Sequence, residues 1–187
     1  MKKKDHKALA YYLLESVGVD VHWEKRWHRR SFLLGCVCPD YLPFTYLRGF
    51  RQSHAMLGHN TLYSGAHISK SIGKLQEKGI RSWRDCWALG TLMHYLADSF
   101  TFPHTQGFEG SMREHRAYEK TLHGFFAAFL SHERACSIGV RIPEKIPAFL
   151  QLGRAEYERE APSFERDCRR IIASCSGVFH ALSVKQN

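Results

Sequence analysis

The chain has 187 residues, of which 44% are hydrophobic and 24% charged, proportions ordinary for a soluble globular protein. That length predicts one domain over 1–187 with a full hydrophobic core. The formal charge of +9 points to anionic partners. It does not say which, because no glycine-rich phosphate loop, zinc-finger spacing or aromatic-interleaved RNA motif accompanies it. No apolar run approaches a membrane span. The basic start is followed by Lys7, Tyr11, Tyr12 and Glu15 with no small-residue cleavage site, so a cytoplasmic protein is expected. The six cysteines form no CxxC pair and are expected to be small buried hydrophobes.

Helical periodicity dominates, which predicts an all-α, multi-helix bundle. A first amphipathic helix is expected over 6–17, with His6, Leu9, Ala10, Leu13 and Val17 on one face. A second, near 23–35, spaces Trp23, Trp27 and Leu34 for burial. Pro39, Pro43 and Gly49 mark 35–58 as a loop. The third helix runs over 60–78 and stops at Gly79 as a C-cap. Ser82 caps the fourth, which runs to about residue 100 with Trp83, Trp87, Gly90, Thr91, His94 and Asp98 along its face. Small residues there leave room for an ion between helices, and equally permit close helix packing. The fifth, 112–131, sets His115, Glu119, Leu122, Phe126 and Leu130 together. A linker with Gly139 and Pro143 leads to C-terminal helices within 144–184: a sixth at 146–160, and a seventh from Pro162 to about residue 182. Trp83, Trp87, Phe125, Phe126 and Phe129 are expected in the core.

Five candidate metal ligands fall within twenty-six residues: His94, Asp98, His104, His115 and Glu119. Each of the pairs His94/Asp98 and His115/Glu119 has a four-residue spacing, which puts both side chains on one helix face. Pro103 ends the fourth helix, so His104 can turn back towards the same point. Buried ionisable groups are costly unless paired or bound to metal. Two such pairs with a His between them therefore point to a metal centre. The alternative is a buried His–carboxylate network. The remaining histidines (His22, His28, His67, His123, His132, His180) are expected at the surface or in packing. His123 lies one turn beyond Glu119, which suits a supporting role. His132-Glu133 begins like a metalloprotease motif, but Cys136 stands where the second His would be.

At these residues the chain resembles the zinc-dependent phospholipase C family, a mostly helical fold whose relatives include single-strand-specific nucleases. The matching pieces occur in order: His6, the segment Phe32-Leu33-Leu34-Gly35-Cys36-Val37-Cys38-Pro39-Asp40, Gly58-His59-Asn60, His94-x3-Asp98-x5-His104 and His115-x3-Glu119. They cover residues 6–120. The resemblance implies that Asp40, His59, His94 and Asp98 hold one zinc ion, and that His104, His115 and Glu119 hold a second. It gives Asp40 a further role as candidate general base. His54 competes with His59 for its position, and Asp40 could instead stabilise a Pro-Asp turn. In secreted members an amino-terminal Trp, through its amine and carbonyl, helps the counterpart of His6 hold a third ion. Residue 1 here is Met, and the amino groups of Trp23 and Trp27 lie in peptide bonds. The third site is then expected to be empty or filled by His6, Asp98 and water.

The chemistry so implied is phosphodiester hydrolysis by a metal-activated water. The expected substrate is a phospholipid, met at an anionic membrane surface, or a related phosphodiester. Two alternatives stand beside it: a nuclease on the same scaffold, with nucleic acid as partner, and a non-catalytic metal-binding helical protein.

Overall fold

The computed structural model describes residues 1–16, 25–41, 61–136 and 142–183. Among these residues there are seven α-helices, two short 3₁₀ turns and no strand. The helices are α1 (Lys3–Ser16), α2 (Arg26–Val37), α3 (Thr61–Lys78), α4 (Trp83–Ser99), α5 (Met112–Cys136), α6 (Ile146–Arg159) and α7 (Phe164–Ser183). The 3₁₀ turns, Cys38–Asp40 and Phe102–His104, follow α2 and α4. No helix among the described residues is long and apolar enough to cross a membrane.

Helix α1 starts about one turn earlier than its apolar face requires. Asp5 in the first turn accepts the Lys2 backbone N–H at 3.2 Å, satisfying one of the donors a helix start leaves open. Leu9, Ala10 and Leu13 bury as the periodicity predicts, and His6 buries with them.

Helix α2 departs furthest from expectation. Trp27 and Leu34 are 71% and 55% exposed, and the buried face is instead His28, Phe32, Gly35 and Cys36. The helix also continues through Gly35, where a loop was expected to begin. The reason lies in α4. A Cβ on Gly35 would stand 2.3 Å from the Trp87 carbonyl oxygen, and one on Gly90 would stand 2.2 Å from that of Phe32. The two glycines bring α2 and α4 into backbone contact, and α2 ends instead at the 3₁₀ turn containing Pro39. Gly90 therefore serves close packing, the second of the two uses the sequence left open.

Helix α4 sits centrally, packed by α1, α2, α3 and α7. Its start is set by a reciprocal cap. The Ser82 side chain accepts the Asp85 N–H, and the Asp85 carboxylate accepts the Ser82 N–H at 2.8 Å. Gly79 terminates α3 at φ 69, as its C-cap position predicts, and its N–H reaches the Leu75 carbonyl at 2.9 Å. Leu122, Phe126 and Leu130 of α5 are buried as expected, but α5 extends to Cys136. Two expected core aromatics are half out in solvent: Phe125 stacks on Phe164, and Trp83 lies at the first residue of α4. Helix α7 takes Ser163 as its cap, leaving Pro162 just outside. Cys36, Cys86, Cys168 and Cys175 are buried thiols as expected, whereas Cys38, in the turn after α2, is only half-buried.

Candidate metal centre

Three helix ends and two helix faces meet at the site. His94 and Asp98 project from one face of α4, where both are buried. The α2–α4 contact brings the C-terminal end of α2 beside them. The Cys36 carbonyl oxygen then lies 2.9 Å from His94 Nδ1, and Asp40 Oδ1 lies 3.7 Å from His94 Nε2. A proton held on Nδ1 by that carbonyl leaves Nε2 as the nitrogen lone pair facing the carboxylates. Asp98 Oδ2 is 3.3 Å from His94 Nε2, and Asp98 Oδ1 is 3.2 Å from His6 Nε2. The His6 and His94 rings stack with centroids 3.9 Å apart.

The second cluster forms where the turn after α4 meets the start of α5. Glu119 Oε1 lies 3.3 Å from His104 Nε2 and 3.1 Å from His115 Nε2. The turn bearing His104 is anchored from the far end of the chain. Buried Asp167 on α7 accepts the Phe102 N–H at 2.8 Å, the Tyr118 hydroxyl at 2.9 Å and the Tyr157 hydroxyl at 2.8 Å. Arg166 neutralises it at 3.2 Å and lies over the Tyr157 ring.

In each of the sets His6/His94/Asp98 and His104/His115/Glu119, the donor atoms lie within 4.8 Å of one another. Between the sets sits the α-ammonium of Met1, 2.7 Å from Asp98 Oδ1 and 2.9 Å from Glu119 Oε1. A reading confined to side chains overlooks this group. It also overlooks the Cys36 carbonyl, a backbone acceptor with no signature in residue type. Asp167 lies beyond the segment that carries the motifs, in a stretch whose only sequence signal is a helix start.

The electrostatics follow from burial and from these contacts. Burial, with His94 alongside, pushes the His6 imidazole down to about 3, so it is neutral at pH 7 with a lone pair available. Burial also pulls His94 down, but Asp98, Asp40 and the Cys36 carbonyl outweigh it and the pKa rises. Asp98 feels burial in the opposite sense, yet the Met1 ammonium and the surrounding histidines hold it well below the carboxylate range. Glu119 is likewise lowered against burial by His104, His115 and Met1. Asp40 is raised, chiefly by burial.

The donor chemistry fits a zinc ion. Neither ring nitrogen of His6 makes a hydrogen bond among the described residues, although both are buried. Leaving a buried polar atom without a partner costs about 1–3 kcal/mol, and a cation among these donors removes that cost. Zinc bonds of about 2.1 Å in tetrahedral geometry set neighbouring ligands roughly 3.4 Å apart. The His–carboxylate separations here run from 3.1 Å (His115–Glu119) to 3.7 Å (Asp40–His94), on either side of that value.

Of the expected site residues, His6, Asp40, His94, Asp98, His104, His115 and Glu119 are brought together. His6 joins His94 and Asp98 directly. His59 and its competitor His54 lie outside the described residues, as does His22. His123 pairs with Asp5 of α1. His180 packs near Ser16, and His67 sets its ring edge-on to Tyr95. The clusters open into a cavity of about 960 Å³ lined by α1, α5 and the two turns.

Compared with models of known protein families, the chain matches the one described as zinc dependent phospholipase C over residues 5–172. The match therefore reaches past the motifs to include Asp167. No curated protein and no solved structure matches the chain.

Proposed function

Because the chain belongs to the zinc-dependent phospholipase C family, we propose that it is a zinc-dependent phosphodiesterase that cleaves phospholipid or a related diester in this cavity. The observation that carries the reading is the pairing of two donor sets around one opening, each of mixed nitrogen and oxygen type. His94 and Asp98, with His6 and Asp40 adjoining, would hold one ion, with His59 the candidate to complete that set. His104, His115 and Glu119 would hold the second. Zinc supplies Lewis acidity towards phosphoryl oxygens and a nucleophile near neutral pH.

The chain's own residues prepare that chemistry. The Cys36 carbonyl keeps His94 in one tautomer, so its donor is aimed without rearrangement. Neutral His6 and ionised Asp98 and Glu119 are already in the protonation states that metal binding needs. Asp40 presents two distinct oxygens: Oδ1 faces His94, whereas Oδ2 has no hydrogen-bond partner among the described residues. We assign Oδ1 to the metal side and Oδ2 to taking the proton of the attacking water. Burial raises the Asp40 carboxyl and makes it a better acceptor than an exposed aspartate. Pro103, Phe108 and Met112 line the cavity and provide apolar surface for the non-reacting part of the substrate.

The test is hydrolysis of bis(p-nitrophenyl) phosphate, with zinc content measured on the same preparation. About two zinc ions per chain are expected from the two donor sets, with turnover abolished by chelation and restored by zinc. Zinc binding without turnover on phospholipid or nucleic-acid diesters would leave a non-catalytic metal protein. Cleavage of single-stranded nucleic acid alone would make it a nuclease.

A further inference from the structure

The cavity above the clusters carries a charge pattern that cleavage of a simple diester does not use. Its lining includes four side-chain cations (Lys2, Lys3, Lys4 and Arg116) and three carboxylates, those of Asp40, Asp98 and Glu119. The carboxylates are committed to the donor sets, where the Met1 ammonium and four histidines face them. The four cations have no carboxylate at ion-pair distance among the described residues. Lys3, Lys4 and Arg116 are exposed and Lys2 half-buried, so the positive charge faces the opening. It comes from two places, Lys2 with the first turn of α1 and the second turn of α5.

The same residues argue against a cationic head group. A quaternary ammonium is recognised by aromatic faces or by spare carboxylates. Among the described lining residues Phe108 is the single aromatic other than histidine, no cage by itself, and its ring already meets Phe102 and His115 edge-on. Each lining carboxylate already faces a histidine or the Met1 amine. Zinc in the donor sets would add to the positive field.

Resting on the zinc phosphodiesterase reading of this site, we propose that the substrate is a phosphodiester whose head group bears a further anion, a phosphate monoester or carboxylate, seated on Lys2, Lys3, Lys4 and Arg116. Water adds to phosphorus, the ester bond to the other alcohol breaks, and that alcohol leaves with the water's proton. The product is a head group carrying two anions, and choline-type diesters are poor substrates.

The experiment uses the zinc-loaded full chain and two readouts. Calorimetry compares inositol 1,4-bisphosphate with phosphocholine. Turnover compares phosphatidylinositol 4-phosphate with phosphatidylcholine in detergent, and glycerophosphoinositol 4-phosphate with glycerophosphocholine in water. The bisphosphate is expected to bind at least tenfold tighter. That advantage should fall below about threefold in the combined variant Lys3→Ala/Lys4→Ala/Arg116→Ala at unchanged zinc content, and should shrink with added salt. Cleavage of the dispersed lipid alone identifies a lipid source, and cleavage of both anionic diesters identifies the head group as sufficient. Equal binding of the two ligands, or a preference that survives in the variant, overturns the inference while leaving the phosphodiesterase reading intact. Tight, lysine-dependent bisphosphate binding with no turnover of any diester upholds the head-group inference and removes the catalytic reading.

Discussion

Asp167 shows how much one side chain can do for a site it does not enter. It is fully buried, accepts hydrogen bonds from Phe102, Tyr118 and Tyr157, and is paired with Arg166, itself only 4% exposed. The turn fixed by the Phe102 N–H carries His104, so the carboxylate on α7 sets the position of a candidate ligand. Removing one member of a buried charged pair leaves the other uncompensated. Asp167→Asn is therefore expected to cost about 3 kcal/mol, read as a lower urea midpoint. Tyr118→Phe, which loses one neutral donor, should cost about 1 kcal/mol. Equal, small effects would show that the network does not hold the turn. The ligand candidates themselves are legible one residue at a time, because four-residue spacing and a following proline dictate where their side chains go. The supporting groups are not. A backbone carbonyl, an α-amine and a carboxylate 63 residues after His104 leave no local pattern, since only the completed fold brings them close.

At the scale of helices, the caps at Ser82 and Gly79 were readable, the start at Pro162 was off by two residues, and the crossings were not readable. Ser82 and Gly79 act at the chain positions their chemistry predicts, because a cap depends on neighbours three or four residues away. Gly35 misleads for the opposite reason. Read locally it is a helix breaker, whereas its role is set by the Trp87 carbonyl of another helix. Trp27 and Leu34 mislead likewise: their spacing describes a stripe but does not say which stripe the α4 contact covers. Gly35→Ala should push α2 off α4 and cost about 1–3 kcal/mol. Gly124→Ala on α5, where a Cβ meets nothing within 4 Å, should stabilise by about 0.5–1 kcal/mol through helix propensity. Opposite shifts in melting temperature are expected. A stabilising or neutral Gly35→Ala would mean that the close approach does not position Asp40 and Cys36 as described.

For the molecule as a whole, the all-α architecture followed from periodicity in the sequence, and the family match confirms the resemblance carried by the motifs. The net charge of +9 could not be assigned to a purpose from composition. The fold places four of the cations around the mouth of one cavity, where we propose that they meet an anion. Helices α1, α4 and α5 and the end of α2 converge on two sets of nitrogen and oxygen donors, the proposed zinc sites. Metal binding of this kind is coupled to folding, so chelation should lower the melting temperature of the wild type and change that of His94→Ala much less. The most direct measurement is an anomalous difference map from crystals grown with zinc, recorded at the zinc absorption edge. Peaks are expected among His94, Asp98, His6 and Asp40, and among His104, His115 and Glu119. A map with no peak at either set, or with peaks only at surface histidines such as His67, would contradict the account.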